Sequence, residues 1–197
     1  MASTDRILDA ARGEFAQHGF GGARLQDIAA RAQLSHPTLL YHFGSKEGLY
    51  AAVIEQAMQD WAAMTSLAIA DGKDGFDRVA TLIDAGFAFF ATHHDFVVIW
   101  RREAIEGGSR LQQAIAEHMR PFFDRAVVFL RGEVEAGRLR EHDPIELIQL
   151  VYGAVMTYFS DAGFRAALSG VDPMTSEARA RFRDAFTLML RDALEPR

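Results

Sequence analysis

Apolar residues recur at intervals of three and four along most of the chain, and no alternating, β-branched run bounded by turn residues interrupts them. A chain with that period buries stripes along helices, not faces of a sheet, so the expected fold is all-α, with about nine or ten helices in its 197 residues. A first helix starts at a Ser3/Thr4 cap, buries Leu8, Ala11 and Phe15, and stops at His18-Gly19. A short second helix carries Leu25, Ile28, Ala29 and Ala32. After only Gln33-Leu34-Ser35, a third takes Pro37 in its first turn, where a missing N–H is no loss, and runs to Phe43. Ser45 caps a long fourth helix that includes Leu49, Val53, Met58 and Trp61.

Beyond the loop Asp71-Gly72-Lys73-Asp74-Gly75, the helices lengthen and their apolar faces widen. They are expected at about Phe76–Thr92, Asp95–Ile105, from Ser109 to Pro121, from there to Gly137, and as a final pair at Asp143–Phe164 and Ser176–Leu194. This organisation predicts a three-helix domain over residues 1–48 and a larger helical domain over residues 49–197.

The formal net charge is -6. Residues 1–50 carry Arg6, Arg12, Arg24, Arg31 and Lys46 against Asp5, Asp9, Glu14, Asp27 and Glu47, so the acidic excess belongs to the rest of the chain. An acidic body leaves room for a local surface that attracts phosphate, so net charge does not exclude nucleic acid. Cysteine is absent, which excludes disulfides, thiolate metal sites and thiol nucleophiles. The start of the sequence has no basic region leading into an apolar run, and no stretch approaches the ~20 apolar residues of a membrane span. A cytoplasmic protein with no membrane partner is the expectation.

Two short helices joined by a three-residue turn, Leu25 to Phe43, have the spacing of a helix-turn-helix, whose second helix lies in the major groove of DNA. Ile28, Ala29, Leu34 and Leu39 would lock that pair onto the first helix. Ser35, His36, Pro37, Thr38, Leu40, Tyr41 and His42 are then the candidates to face DNA, with Arg24, Gln26 and Lys46 beside them. The first residues of the second helix would reach base edges, while Tyr41, His42 and Lys46 can donate to phosphate oxygens. Three ordinary packed helices would also place leucine and alanine in this way, but would leave the Thr, Tyr and two His of a Pro-started helix unexplained.

At these residues the chain resembles a known family. Thr4-Asp5-Arg6-Ile7-Leu8-Asp9-Ala10-Ala11, Phe15, Gly19-Phe20, Asp27-Ile28-Ala29, Leu34-Ser35, Thr38-Leu39, Tyr41-His42-Phe43 and Ser45-Lys46-Glu47 follow the order and spacing of the TetR family's DNA-binding domain over about residues 4 to 54. The resemblance implies an all-helical homodimer that usually represses transcription and leaves a pseudo-palindromic operator on double-stranded DNA when a small-molecule effector enters its C-terminal domain. Departures are informative. Family members usually carry threonines where Ala23 and Arg24 stand, so a hydroxyl cap on the second helix is lost; they often carry glycine at Gln33, where a left-handed backbone would cost a side chain ~1–2 kcal/mol. With Leu40 and His36 in place of a common tyrosine and a common lysine or arginine, the reading face is less cationic and more apolar than is usual, and Leu40 could meet a thymine methyl.

In the larger domain, Trp61, Phe87, Phe90, Phe96, Trp100, Tyr152, Met156 and Phe159 are candidates to line an effector site, with Glu103 and Tyr152 as polar anchors. The same stripes also suit an ordinary core. Surplus apolar faces on the last two long helices, including Val151, Ala154, Tyr158, Phe182, Phe186 and Met189, suggest a two-fold four-helix interface between subunits; a fully buried central helix is the alternative for 143–164. No Gly-rich phosphate loop, Gly-x-Ser-x-Gly elbow or His-Glu-x-x-His is present. No catalysis, cofactor or metal is expected: His36 and His42 lack a partnering carboxylate cluster, and the adjacent His93 and His94 point apart on a helix. A helical ligand-binding protein that does not read DNA is the competing reading.

Overall fold

In a computed structural model, which describes residues 3–70, 72–108, 112 and 115–197, every regular element is helical and no strand occurs among the described residues. The Ser3 side chain expected as a cap, Asp71 of the expected loop and the helix start expected at Ser109 lie outside what is described. The helices are α1 Ser3–Gly22, α2 Leu25–Arg31, α3 His36–Phe43, α4 Lys46–Ile69, α5 Gly75–Thr92, α6 His94–Ile105, α7 Arg120–Glu135, α8 Pro144–Ser160, α9 Ala162–Ser169 and α10 Ser176–Leu194.

Most boundaries have a local cause. Gly19, at φ 68 and ψ 174, breaks α1 where His18-Gly19 was expected to stop it, and a short turn follows to Gly22. Asp143 caps α8, accepting from the N–H groups of Ile145 at 2.8 Å and Glu146 at 3.2 Å, with Pro144 behind it. Thr175 caps α10 by accepting from Ala178 N at 3.2 Å. Two segments differ from the expectation. The helix foreseen over 143–164 ends at Ser160, and Asp161, at φ -106 and ψ 28, starts a separate α9 that closes on left-handed Gly170. An aspartate competes for backbone hydrogen bonds and weakens a helix interior, which accounts for the break. Pro121, foreseen as a helix boundary, is instead passed: a π turn over Ile115–Met119 runs directly into α7. That wider turn lies where the proline has no N–H to donate and its ring crowds the preceding residues.

The chain packs as two units. In Met1–Asp60 with His93–Met119, α1 lies against α2 and α6, and α2 against α3. Ile7, Ala11, Phe15, Ile28, Leu39, Leu49 and Ile54 form its solvent-free centre, and Phe15 meets Tyr50 edge-on at 4.9 Å. Here α6, assigned by sequence to the larger domain, packs with the first helices. His93 Nε2 lies 3.2 Å from Asp60 Oδ2 within the same unit.

In Trp61–Thr92 with Arg120–Arg197, α5 packs on α8 and α10, and both α7 and α9 pack on α8. Phe87 is its aromatic centre, 5.7 to 5.9 Å from Phe159, Tyr158 and Phe182. Two polar nodes hold its ends. Buried Glu133 accepts from Gly75 N at 2.7 Å and from Arg138 Nε and Nη2 at 2.6 and 2.7 Å, and these donors hold its carboxyl below its ordinary pKa against the opposing effect of burial. Arg140 donates to the carbonyls of Asp192 and Glu195, tying the end of α10 to the start of the loop before α8.

Candidate nucleic-acid interface

The turn between α2 and α3 closes as a Schellman motif: Gln33 N donates to Ala30 O at 3.0 Å and Leu34 N to Ala29 O at 2.9 Å. This geometry forces a left-handed residue after the helix, and Gln33 occupies it at φ 57, the one described non-glycine residue with positive φ. The strain foreseen at Gln33 is therefore present. Ser35 caps α3, its Oγ accepting from Thr38 N at 3.2 Å and lying 2.7 Å from Thr38 Oγ1. The cap position of α2 is Arg24, not Ala23, and no side chain caps it; Ala23 is buried instead.

Leu39 faces the core and is fully buried with Ile28 and Ala29. The opposite face of α3 is open. Tyr41 is 87% exposed, and its ring stands edge-on to that of His42 at 5.7 Å. His42, Ser35 and Pro37 are exposed; His36, Thr38 and Leu40 are half-buried; Arg24 and Gln26 are exposed on α2. The structure thus gathers these candidates on one short, capped helix and its neighbour. Lys46 is placed less freely. Its Nζ donates to Gly21 O at 3.4 Å and lies 4.9 Å from the centre of the Phe20 ring, which binds it to the turn after α1. Arg31 is also engaged, 3.6 Å from the buried Glu14, and Arg12 pairs with Asp9. The cations of this unit are largely turned toward its own carboxylates and carbonyls.

Sequence reasoning did not single out the Phe20–Gly22 turn or Arg102 of α6, whose Nη2 donates to the carbonyls of Ala16 and Gln17 at 3.4 Å. No local pattern signals Arg102, because its partners lie 86 and 85 residues away in the chain.

The candidates for an effector site divide between the two units. Phe96, Trp100 and Glu103 lie buried on α6, with Phe96 and Trp100 edge-on at 5.5 Å. Trp61, Phe87, Phe90, Met156 and Phe159 belong to the other unit, where Trp61 stacks on Phe90 at 5.9 Å and also meets Phe89, which sequence reasoning passed over. Tyr152, on α8, is exposed. Among the described residues no group of three or more His, Asp or Glu side chains gathers to hold a metal.

The candidates for a subunit interface also divide. Tyr158 is 1% exposed inside its own subunit, its hydroxyl donating to Pro173 O at 2.5 Å, and burial raises its pKa. Phe182 lies against it at 4.4 Å, with Phe186 stacked beyond. Val151 and Ala154 are half-buried, whereas Met189 is 71% exposed beside exposed Leu188. Among the described residues no single helix is long and apolar enough to cross a membrane.

Comparison with known proteins agrees with this geometry. Residues 7–53 match the family described as bacterial regulatory proteins, tetR family, and residues 76–189 match the tetracyclin repressor-like C-terminal domain. The HTH-type transcriptional regulator RutR of Escherichia coli K12 is 29% identical over 172 residues, 86% of this chain and 79% of that protein. The HTH-type transcriptional repressor SCO4008 of Streptomyces coelicolor is 31% identical over 143 residues, 73% and 70% of the two chains. The solved structure of the transcriptional regulator FadR of Bacillus subtilis with stearoyl-CoA shares the fold at a TM-score of 0.73 and 17% identity, covering 93% of this chain and 97% of that one. The first of these family models spans the helix-turn-helix of Leu25–Phe43, the second more than half of the chain, and the SCO4008 relative more than two thirds of it: the chain belongs to the TetR family of bacterial transcriptional regulators.

Proposed function

We propose that this regulator is a homodimeric repressor that places one α3 per subunit in successive major grooves of a pseudo-palindromic operator, with half-site centres ~34–36 Å apart, and that a small molecule releases it. The observation that carries the reading is the open face of α3, a Ser35-capped helix that buries Leu39 and turns Tyr41 and His42 outward. Leu40 offers an apolar contact to a thymine methyl, and Tyr41, His42, Arg24 and Gln26 supply donors beside it. Residues 1–48 serve as the reading head and residues 49–197 as the effector and dimerisation domain. The chain acts by binding and catalyses nothing.

The relatives support this direction: SCO4008 is named a repressor, and FadR was solved with stearoyl-CoA. For an effector site we favour the buried Phe87, Phe90, Met156 and Phe159 with Trp61 beside them, all in Trp61–Thr92 with Arg120–Arg197. Because Tyr158 is enclosed, the interface is carried by outward residues of the last two long helices, Met189 and Leu188 on α10 with Val151 and Ala154 on α8. The test is binding of the purified protein to the DNA upstream of its own gene against random duplex of equal length. A salt-sensitive preference is expected, and its absence would exclude the reading. Tyr41→Ala should weaken binding to both duplexes. A ligand-binding protein that ignores DNA would be unaffected.

A further inference from the structure

Arg102 meets α1 from outside the helix-turn-helix. Its two hydrogen bonds, to Ala16 O and Gln17 O at 3.4 Å, fall on carbonyls of the last turn before α1 breaks at Gly19. A guanidinium there satisfies acceptors that the helix leaves without donors and lies at the negative end of its dipole. Space for it exists because residue 19 is glycine: a Cβ would stand 2.8 Å from Arg102 Nη1 and 2.9 Å from its Cδ. The left-handed φ of 68 excludes a side chain a second time.

From Gly19 the chain turns through Phe20 and Gly21, and this turn holds the start of α4. Lys46 Nζ bonds to Gly21 O and sits over the Phe20 ring, which in turn meets Tyr50 edge-on at 5.2 Å. Gly19 O accepts from Ala23 N at 3.1 Å, immediately before Arg24 opens α2. The place of Lys46 and the entry to α2 both depend on the turn that Arg102 grips.

We infer that Arg102 is a positioning residue for DNA binding: without touching DNA, it fixes the 19–22 turn and through it the entry to α2 and the pose of α3, which packs on α2, against the base edges. The inference rests on the reading of Leu25–Phe43 as a DNA-reading head. Its test uses the full chain, with the duplex upstream of its own gene and a random duplex of equal length, well below the melting temperature. Arg102→Ala should cut the preference for the upstream duplex about ten-fold, the loss of a charge-assisted hydrogen bond at the head, and leave random-duplex affinity within about two-fold. Arg102→Lys, which keeps the cation at the helix end, should recover most of that loss. Gly19→Ala should weaken binding in the wild-type background and weaken it less in Arg102→Ala, where the overlap is gone. Unchanged binding of Arg102→Ala, parallel loss on both duplexes whether or not helical circular dichroism falls, or additive losses with Gly19→Ala would each overturn the inference. A wild-type protein without preference for its upstream duplex would remove the head reading itself, and this inference with it.

Discussion

At position 33 the backbone needs a left-handed residue and the sequence supplies glutamine, at φ 57. Gln33→Gly removes the Cβ strain and returns part of the gain as unfolded-chain entropy, so the folded protein should gain about 1 kcal/mol, read as a higher urea midpoint at constant m. Glu133 is the opposite case, a buried carboxylate whose donors are all in place. Its folded pKa is lowered, so it contributes stability above the ordinary carboxylate range, and that stability is lost as the pH falls through the folded value. Glu133→Gln should cost about 2 kcal/mol near neutrality and flatten the acid limb of the stability curve, measured by thermal melts across pH. Position 33 could be read from the family resemblance. The Glu133 node could not, because Gly75 lies 58 residues away.

Among the elements, α3 and its two turns carry the most exacting local design. Ser35→Ala removes the bond to Thr38 N and the contact with its hydroxyl, and should cost about 1 kcal/mol of stability and weaken DNA binding, measured by melting and by titration with the upstream duplex. In the first turn of α4, a Cβ at Gly48 would overlap Phe43 O, a backbone atom that cannot give way. Gly48→Ala should therefore cost about 2 to 3 kcal/mol and disturb the head more than the rest of the chain, which site-resolved amide exchange would show. The cap at Ser45 and the helix start at Asp143 were legible because each side chain stands three residues or fewer before the N–H it serves; the Ser35 cap, at the same spacing, was passed over. The break at Asp161 and the π turn before Pro121 were not. A single aspartate or proline inside a periodic run permits either continuation or interruption, and the apolar period alone does not say which.

For the whole molecule, the proposed dimer makes a concrete demand. Met189→Glu with Leu188→Glu would place charges on exposed apolar positions of α10, and should shift the protein toward monomer by sedimentation and abolish preference for the upstream duplex, while helical content stays unchanged. With Arg31, Arg12 and Lys46 engaged within their own unit, few phosphates remain to be neutralised, so the log affinity should fall only shallowly with log salt, at about 0.9 per neutralised phosphate. The period of three and four, the Gln33-Leu34-Ser35 turn, Pro37 and the Ser45 cap determined by themselves that the chain is helical and where its helix-turn-helix lies, because these signals act within one or two turns of backbone. The packing of α6 with α1 through Arg102, the enclosure of Tyr158 and the Glu133 node were decided only by the tertiary structure. Each joins residues far apart in the chain, and the energy of such a contact depends on burial and geometry that no local pattern contains.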